Sequence, residues 1–126
     1  MNIIVSGGPD FNDWEVFKRS LDRIRFPYCD SFHFLCCDEG ECDSLLKRYA
    51  HDKGVVSWSF PASLFIPRND SFRIRNMDIV QQCDGAVLFW DQKCDVVGHL
   101  IHVLEIAHRR TVVFDYYGNI ILNLEY

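Results

Sequence analysis

The residue types able to do chemistry in this chain fall into four short groups. Ser6-Gly7-Gly8-Pro9-Asp10-Phe11 sets two glycines directly after an apolar run. Glycines there let backbone approach a phosphate, with the next helix N-terminus facing it, although any tight strand-to-helix turn favours the same residues. Cys37-Asp38-Glu39-Gly40-Glu41-Cys42-Asp43 carries four carboxylates in seven residues. It offers acceptors where a phosphate cradle needs donors. Three readings follow, in this order: a solvated loop favouring a helix start, oxygen ligands for a divalent cation, or a docking surface for a basic protein partner. Arg75-Asn76 could fork onto a phosphate or carboxylate, or pair at the surface with Asp70 or Asp78. Arg68 and Arg73 lie close by, and Arg73 cannot share a helix face with Arg75, so one is expected toward a cleft and the other toward solvent. Trp90-Asp91 ends an apolar run, where an indole can stack a base and a carboxylate can accept from a ribose hydroxyl, or Trp90 can cap the core.

Other candidates carry less. His99 and His102 stand three apart, but two histidines make no metal site and Cys94 is badly placed to complete one. No Ser-His-Asp arrangement is visible. The six cysteines form no Cys-x-x-Cys pair and follow no nucleophile pattern. Cys36, Cys83 and Cys37 read as small core residues, and free thiols are expected. No catalytic residue and no metal ligand is assigned.

These groups must be held by elements. Asn2–Ser6 reads as a strand entering the Gly7-Gly8 loop. Trp14, Phe17, Leu21 and Ile24 have helical spacing, with Asp13 as N-cap and Pro27 as the stop. Phe32–Cys36 reads as a second strand. Leu45, Leu46, Tyr49 and Ala50 mark a second helix closed by Gly54. Val55–Phe60 is a third strand and Pro61–Asp70 a loop. Ser71–Cys83 fits a third helix, Ala86–Phe89 a strand buried on both faces with Phe89 interior, and Val97–Ile106 a fourth helix. Thr111–Phe114 is a fifth strand, and 115–126 holds a turn and a C-terminal edge strand at Ile120–Leu124. Alternating strands and helices predict an α/β fold, with a parallel central sheet of about five strands and helices on both faces, in a single domain over 1–126. Ligands of such folds sit beyond the carboxyl ends of the strands, where Gly7–Asn12, Cys37–Asp43 and Asp91–Gly98 should meet.

The chain has 126 residues, 48% hydrophobic and 25% charged, which suits one globular domain and excludes a disordered chain. Its net charge of −5 disfavours general nucleic-acid binding. No apolar run is long enough to span a bilayer, and the N-terminus lacks the basic region of a signal peptide, so a cytoplasmic location without membrane attachment is expected. The fourth helix has more apolar positions than one stripe needs, and Ile120-Ile121-Leu122 adds to them, which points to a homo-oligomer.

Several segments in order resemble the YspA-like group of the SLOG superfamily, small Rossmann-like domains related to the LOG and DprA folds. These are Ile4 to Asp13, Asp43 to Ala50, Ile74-Arg75-Asn76 and Cys83 to Asp91, with His99 also matching. The resemblance runs from Met1 to Phe114. It implies a Rossmann-like domain with a cleft for nucleotides or nucleotide-derived signals, including NAD-related molecules. Pro9 stands where the family carries Arg, Val96-Val97 where it has Gly-Thr, and of its second glycine loop only Asp43 is retained. The LOG Pro-Gly-Gly and catalytic Glu motif has no counterpart. The resemblance therefore carries the fold with Arg75, Asn76, Trp90 and Asp91, but not the phosphate cradle or phosphoribohydrolase activity.

The function expected is non-catalytic binding, for sensing or sequestration, of a nucleotide-like or NAD-derived small molecule. The site would comprise Gly7, Gly8, Phe11, Asp43, Arg75, Asn76, Trp90 and Asp91. No cofactor is assigned. With Arg75 alone set against the loop carboxylates, a phosphorylated ligand calls for a divalent cation. Two other readings stand beside it. One is a scaffold without ligand, of the kind found in phage-type accessory proteins, acting as an interaction or inhibitor module through its acidic loop. The other is a hydrolase of nucleotide N-glycosidic bonds using Asp91 or Glu39.

Overall fold

The computed structural model describes residues 1–38 and 40–125. Strands and helices alternate along the chain: β1 (Asn2–Gly7), α1 (Trp14–Asp22), β2 (His33–Cys36), α2 (Glu41–Lys53), β3 (Val56–Ser59), α3 (Arg68–Gln82), β4 (Gly85–Phe89), α4 (Asp95–Ile106), β5 (Arg110–Phe114) and β6 (Ile120–Leu124). The six strands form one sheet in the order β3-β2-β1-β4-β5-β6. β1 to β5 pair in parallel, and β6 runs antiparallel to β5. The expected parallel sheet is therefore extended by an antiparallel edge strand at Ile120–Leu124. The turn before β6 lets the chain reverse: Asp115 Oδ1 accepts from the Tyr117 and Asn119 N–H groups, and Gly118 takes φ +88°.

β1 is central, and this decides where a ligand can enter. The chain winds outward from β1 to β3, then crosses back to place β4 on the other side of β1. At that reversal the connections leave in opposite directions, and a crevice opens beyond the carboxyl ends of β1 and β4. Because the strands alternate their side chains, β1 feeds two cores. Ile3 and Val5 pack with Phe17 and Leu21 of α1 and Leu46 and Tyr49 of α2. Ile4 packs with Ile79 and Val80 of α3 and Val97, Leu100 and Leu104 of α4. β4 is buried along its whole length, including Phe89.

Helix boundaries depart from the sequence reading in α1, α2 and α3, and α4 starts at Asp95, two residues before Val97. α1 ends at Asp22 rather than reaching Pro27, although Asp13 caps it as expected through Oδ1 to the Val16 N–H at 3.2 Å. α2 begins inside the acidic loop, where Gly40 at φ +72° turns the chain into the helix, and ends as expected on left-handed Gly54. α3 begins at Arg68 within the expected loop, because Pro67 stands at its N-cap, where a missing N–H costs nothing. All six cysteines are free. Among the described residues no helix is long and apolar enough to cross a membrane.

Candidate functional site at the carboxyl ends of the strands

The three loops expected to meet do meet. The Glu41 N–H donates to the Pro9 carbonyl at 3.2 Å, and a cavity of about 240 Å³ is lined by Gly7 and Pro9 of the first loop, Gly40 of the second and Cys94 and Val96 before and within α4. Ser6 and Arg68 complete its wall. A second cavity of about 550 Å³ adjoins it at Cys94, with Trp90, Phe72, Arg73, Lys93, His99 and His102 in its wall.

Both glycines are required by close packing. A Cβ on Gly7 would lie 3.0 Å from Cys42 Sγ and 3.2 Å from Phe89 Cβ, so glycine lets α2 close on the end of β1. A Cβ on Gly8 would lie 1.9 Å from Tyr116 Oη, and that hydroxyl donates to Asp10 Oδ1 at 2.8 Å. The Gly8 N–H is taken by the Phe89 carbonyl at 3.1 Å. Gly40 has the same character, since a Cβ would meet Pro9 Cα at 2.5 Å. The Pro9 carbonyl and the Asp13 side chain each take one N–H at the start of α2 and α1.

Phe11 does not line the cleft. It is buried, stacked on Phe89 with ring centroids 4.6 Å apart, because an aromatic at that turn gains more by extending the Phe17, Phe89 and Phe114 stack than by facing water. Arg75 and Asn76 are buried too. Arg75 Nη1 donates to the Cys37 carbonyl at 2.8 Å and its Nε to Asn76 Oδ1 at 2.9 Å. Asn76 Nδ2 then donates to the Val96 carbonyl and to His99 Nδ1, both at 3.1 Å. Asn76 is the hub of a staple that ties the second loop and α3 to the start of α4. His99 accepts at Nδ1, which selects its neutral Nε2–H form, and burial, with Arg73 and His102 adding to it, holds its pKa below the ordinary value. Of the neighbouring arginines, Arg68 and Arg73 line the cavities, and the Arg-Asn pair lies beneath them. Arg73 and Arg75 do part company as their spacing requires.

Trp90 lies half-buried in the wall of the larger cavity, its Nε1–H donating to the Cys94 carbonyl at 3.0 Å. Gly98 lets the indole sit on the first turn of α4, since a Cβ there would be 3.3 Å from the ring. Asp91 Oδ1 accepts from the Lys93 and Cys94 N–H groups at 2.8 and 2.9 Å. Those bonds hold its carboxyl below the usual range and tie it to its own loop. A carboxylate so committed is a poor general acid. Glu39, the other carboxylate considered for hydrolysis, lies outside the described residues.

The acidic loop turns partly inward. Asp43 is buried, while Asp38 is exposed, takes φ +56° and faces Lys47 Nζ at 3.6 Å. Cys36, Asp38 and Asp43 each bring one potential ligand atom within 4.8 Å of the others. Burial pushes the Cys36 thiol pKa up, with the neighbouring Asp43 adding to it, and so keeps the sulfur protonated. The Cys37 thiol is pushed up to about 11 by burial, which removes it as a nucleophile.

No protein-family model, no curated protein and no solved structure matches this chain.

Proposed function

We propose that this protein is a non-catalytic binder of a nucleotide-like or NAD-derived small molecule, and a divergent member of the YspA-like SLOG group. The observation that carries the reading is the pair of adjoining cavities at the point where the strand order reverses, lined by Arg68, Arg73 and Lys93 and walled by Trp90. An anionic group of the ligand would lie against Arg68, with a planar ring near Trp90. Binding without turnover is favoured because Asp91 is committed to its loop and the thiols of Cys36 and Cys37 are raised. Docking of a basic protein on the acidic loop is less favoured, because Asp43 is turned into the protein.

The test is calorimetry with ADP-ribose, NAD and adenosine, with and without magnesium. ADP-ribose or NAD should bind, and Arg68→Ala should weaken that binding by about tenfold or more, the loss of one charge-assisted contact. Arg73 and Lys93 supplement Arg68, so the need for a cation foreseen with Arg75 alone should be small. Absence of heat and of any thermal shift with all three ligands would overturn the reading.

A further inference from the structure

The opposite end of the sheet carries a second, unrelated cavity of about 440 Å³. It lies on the face covered by α1 and α2, at the amino ends of β1, β4 and β5. Its origin is topological. α1 ends at Asp22, and the chain continues as Arg23–Pro27 along the cavity wall. This part of the sheet is left with Val112 only partly covered. Ile3, Ile24, Phe26, Val87 and Val112 make the lining apolar. Gly85 keeps the floor open, since a Cβ there would stand 2.9 Å from the Arg110 carbonyl oxygen and 3.4 Å from Ile3 Cδ1.

The rim has the opposite character. Arg23, Arg25 and Arg110 all border the cavity, but the Arg23 guanidinium is committed elsewhere, its Nη1 donating to the Gly118 carbonyl at 3.1 Å and its Cζ lying 5.7 Å from the Phe114 ring centroid. Asp84 also borders it, and its Oδ2 already accepts from the Asn2 N–H at 2.8 Å. Arg110 faces Glu125 at 3.5 Å in an exposed pair, which contributes little. Arg25 makes no ion pair with any described residue. A chain of net charge −5 thus sets Arg25 and Arg110 at the rim of an apolar hole.

We infer that this cavity is a binding site for a small monocarboxylate with a hydrocarbon body. The body replaces water against the five apolar side chains, and the carboxylate stays at the rim where a planar guanidinium can take both oxygens. The site is distinct from the cleft of the proposed function and does not depend on it. A two-fold copy of this chain suits it poorly, because the symmetry sets Arg25 and Arg110 against their own copies.

The experiment titrates octanoate, octanol and octylammonium, each below its aggregation limit, by calorimetry and by amide chemical shifts. Octanoate should bind one-to-one and shift the amides of Gly85, Arg110 and Val112. Octanol should bind about tenfold more weakly or worse, and octylammonium not at all. Arg25→Glu, an exposed change, should weaken octanoate by about tenfold and leave octanol unchanged. Val112→Trp should fill the cavity and abolish both. ADP-ribose binding at the cleft should be the same in Arg25→Glu as in the wild type, which separates the two sites. Equal affinity for octanoate and octanol, unchanged octanoate binding in Arg25→Glu, or shifts confined to Gly7, Trp90 and Gly98 would overturn the inference.

Discussion

Asn76 has no spare hydrogen-bonding capacity on its Nδ2 side: both amide hydrogens have partners, and its Oδ1 accepts from Arg75. In Asn76→Asp both donations are lost, so the Val96 carbonyl loses its side-chain donor and His99 faces a carboxylate. The variant should lose about 1–3 kcal/mol at neutral pH by chemical denaturation, in the range for a buried polar group left without its partner. Its pH response should also weaken. In the wild type His99 has a folded pKa below its ordinary value of 6.5. Its contribution is therefore fully present above 6.5 and is lost as pH falls from 6.5 through the folded value, because the unfolded chain binds the proton first. Beside an aspartate the same histidine would gain a proton more readily, so acidification over that window should cost Asn76→Asp less than it costs the wild type. His99→Gln, which keeps an acceptor and removes the titration, should flatten the profile. A wild-type stability that does not fall below pH 6.5 relative to His99→Gln would contradict this assignment.

The elements around the cleft are held by close backbone approach. The first and second loops meet at Gly40 and Pro9, and the first loop meets the β5–β6 turn at Gly8 and Tyr116. Tyr116→Phe removes the hydroxyl that donates to Asp10 and should cost about 1 kcal/mol in stability, since its phenol has a hydrogen-bond partner to lose. Gly40→Ala should cost more than Tyr116→Phe, because it sets a Cβ against backbone at positive φ; thermal unfolding of the two variants orders them. These contacts also explain which parts of the protein were legible in the sequence. The alternation of strands and helices was legible, as were the Asp13 and Gly54 caps and the buried β4, because each is written in local periodicity or in a single residue's conformational preference. The antiparallel edge at Ile120–Leu124 was legible as a strand. The cleft loops were legible as a meeting place, because topology alone brings them together. What each loop residue does there was not legible. A glycine that admits Tyr116 from about a hundred residues away looks the same as a glycine that admits a phosphate. A Phe beside a glycine loop looks the same whether it turns outward or, as Phe11 does, stacks on Phe89. Arg75 was the natural anion ligand on the rule that arginines are exposed, and it is the exception, buried under the cleft while Arg68 and Arg73 line it. The expected loop over Pro61–Asp70 concealed Arg68, and Pro67 read as a helix N-terminal residue was the signal that could have revealed it.

At the scale of the whole molecule, the apolar surplus read from the sequence is redistributed. Val97, Leu100, Ile101 and Leu104 of α4 are buried in the chain's own core, while Ile106 and, on β6, Ile120 and Ile121 stay exposed. The larger apolar exposure lies on the other flank: Val56 and Trp58 on edge strand β3, Leu64 and Phe65 in the following loop, and Ile74 and Met77 on α3. β3 is an outer strand, so one side of its backbone has no neighbouring strand. It also lacks the devices that usually protect an edge. Val55-Val56-Ser57-Trp58-Ser59-Phe60 carries no charge and no proline. The homo-oligomer expected from the sequence is therefore expected to form through this flank rather than through α4, with two copies of β3 pairing antiparallel about a two-fold axis. A four-residue strand makes few hydrogen bonds, and most of the favourable free energy would come from covering Trp58 and its apolar neighbours. Association should accordingly be weak. Sedimentation velocity at rising protein concentration should show the monomer giving way to a dimer. Trp58→Lys, which places a charge on the edge at an exposed position, should keep the protein monomeric with its thermal stability unchanged. A dimer that persists in Trp58→Lys but is lost in Ile106→Lys would return the interface to α4, and a monomer at every concentration would remove it from both.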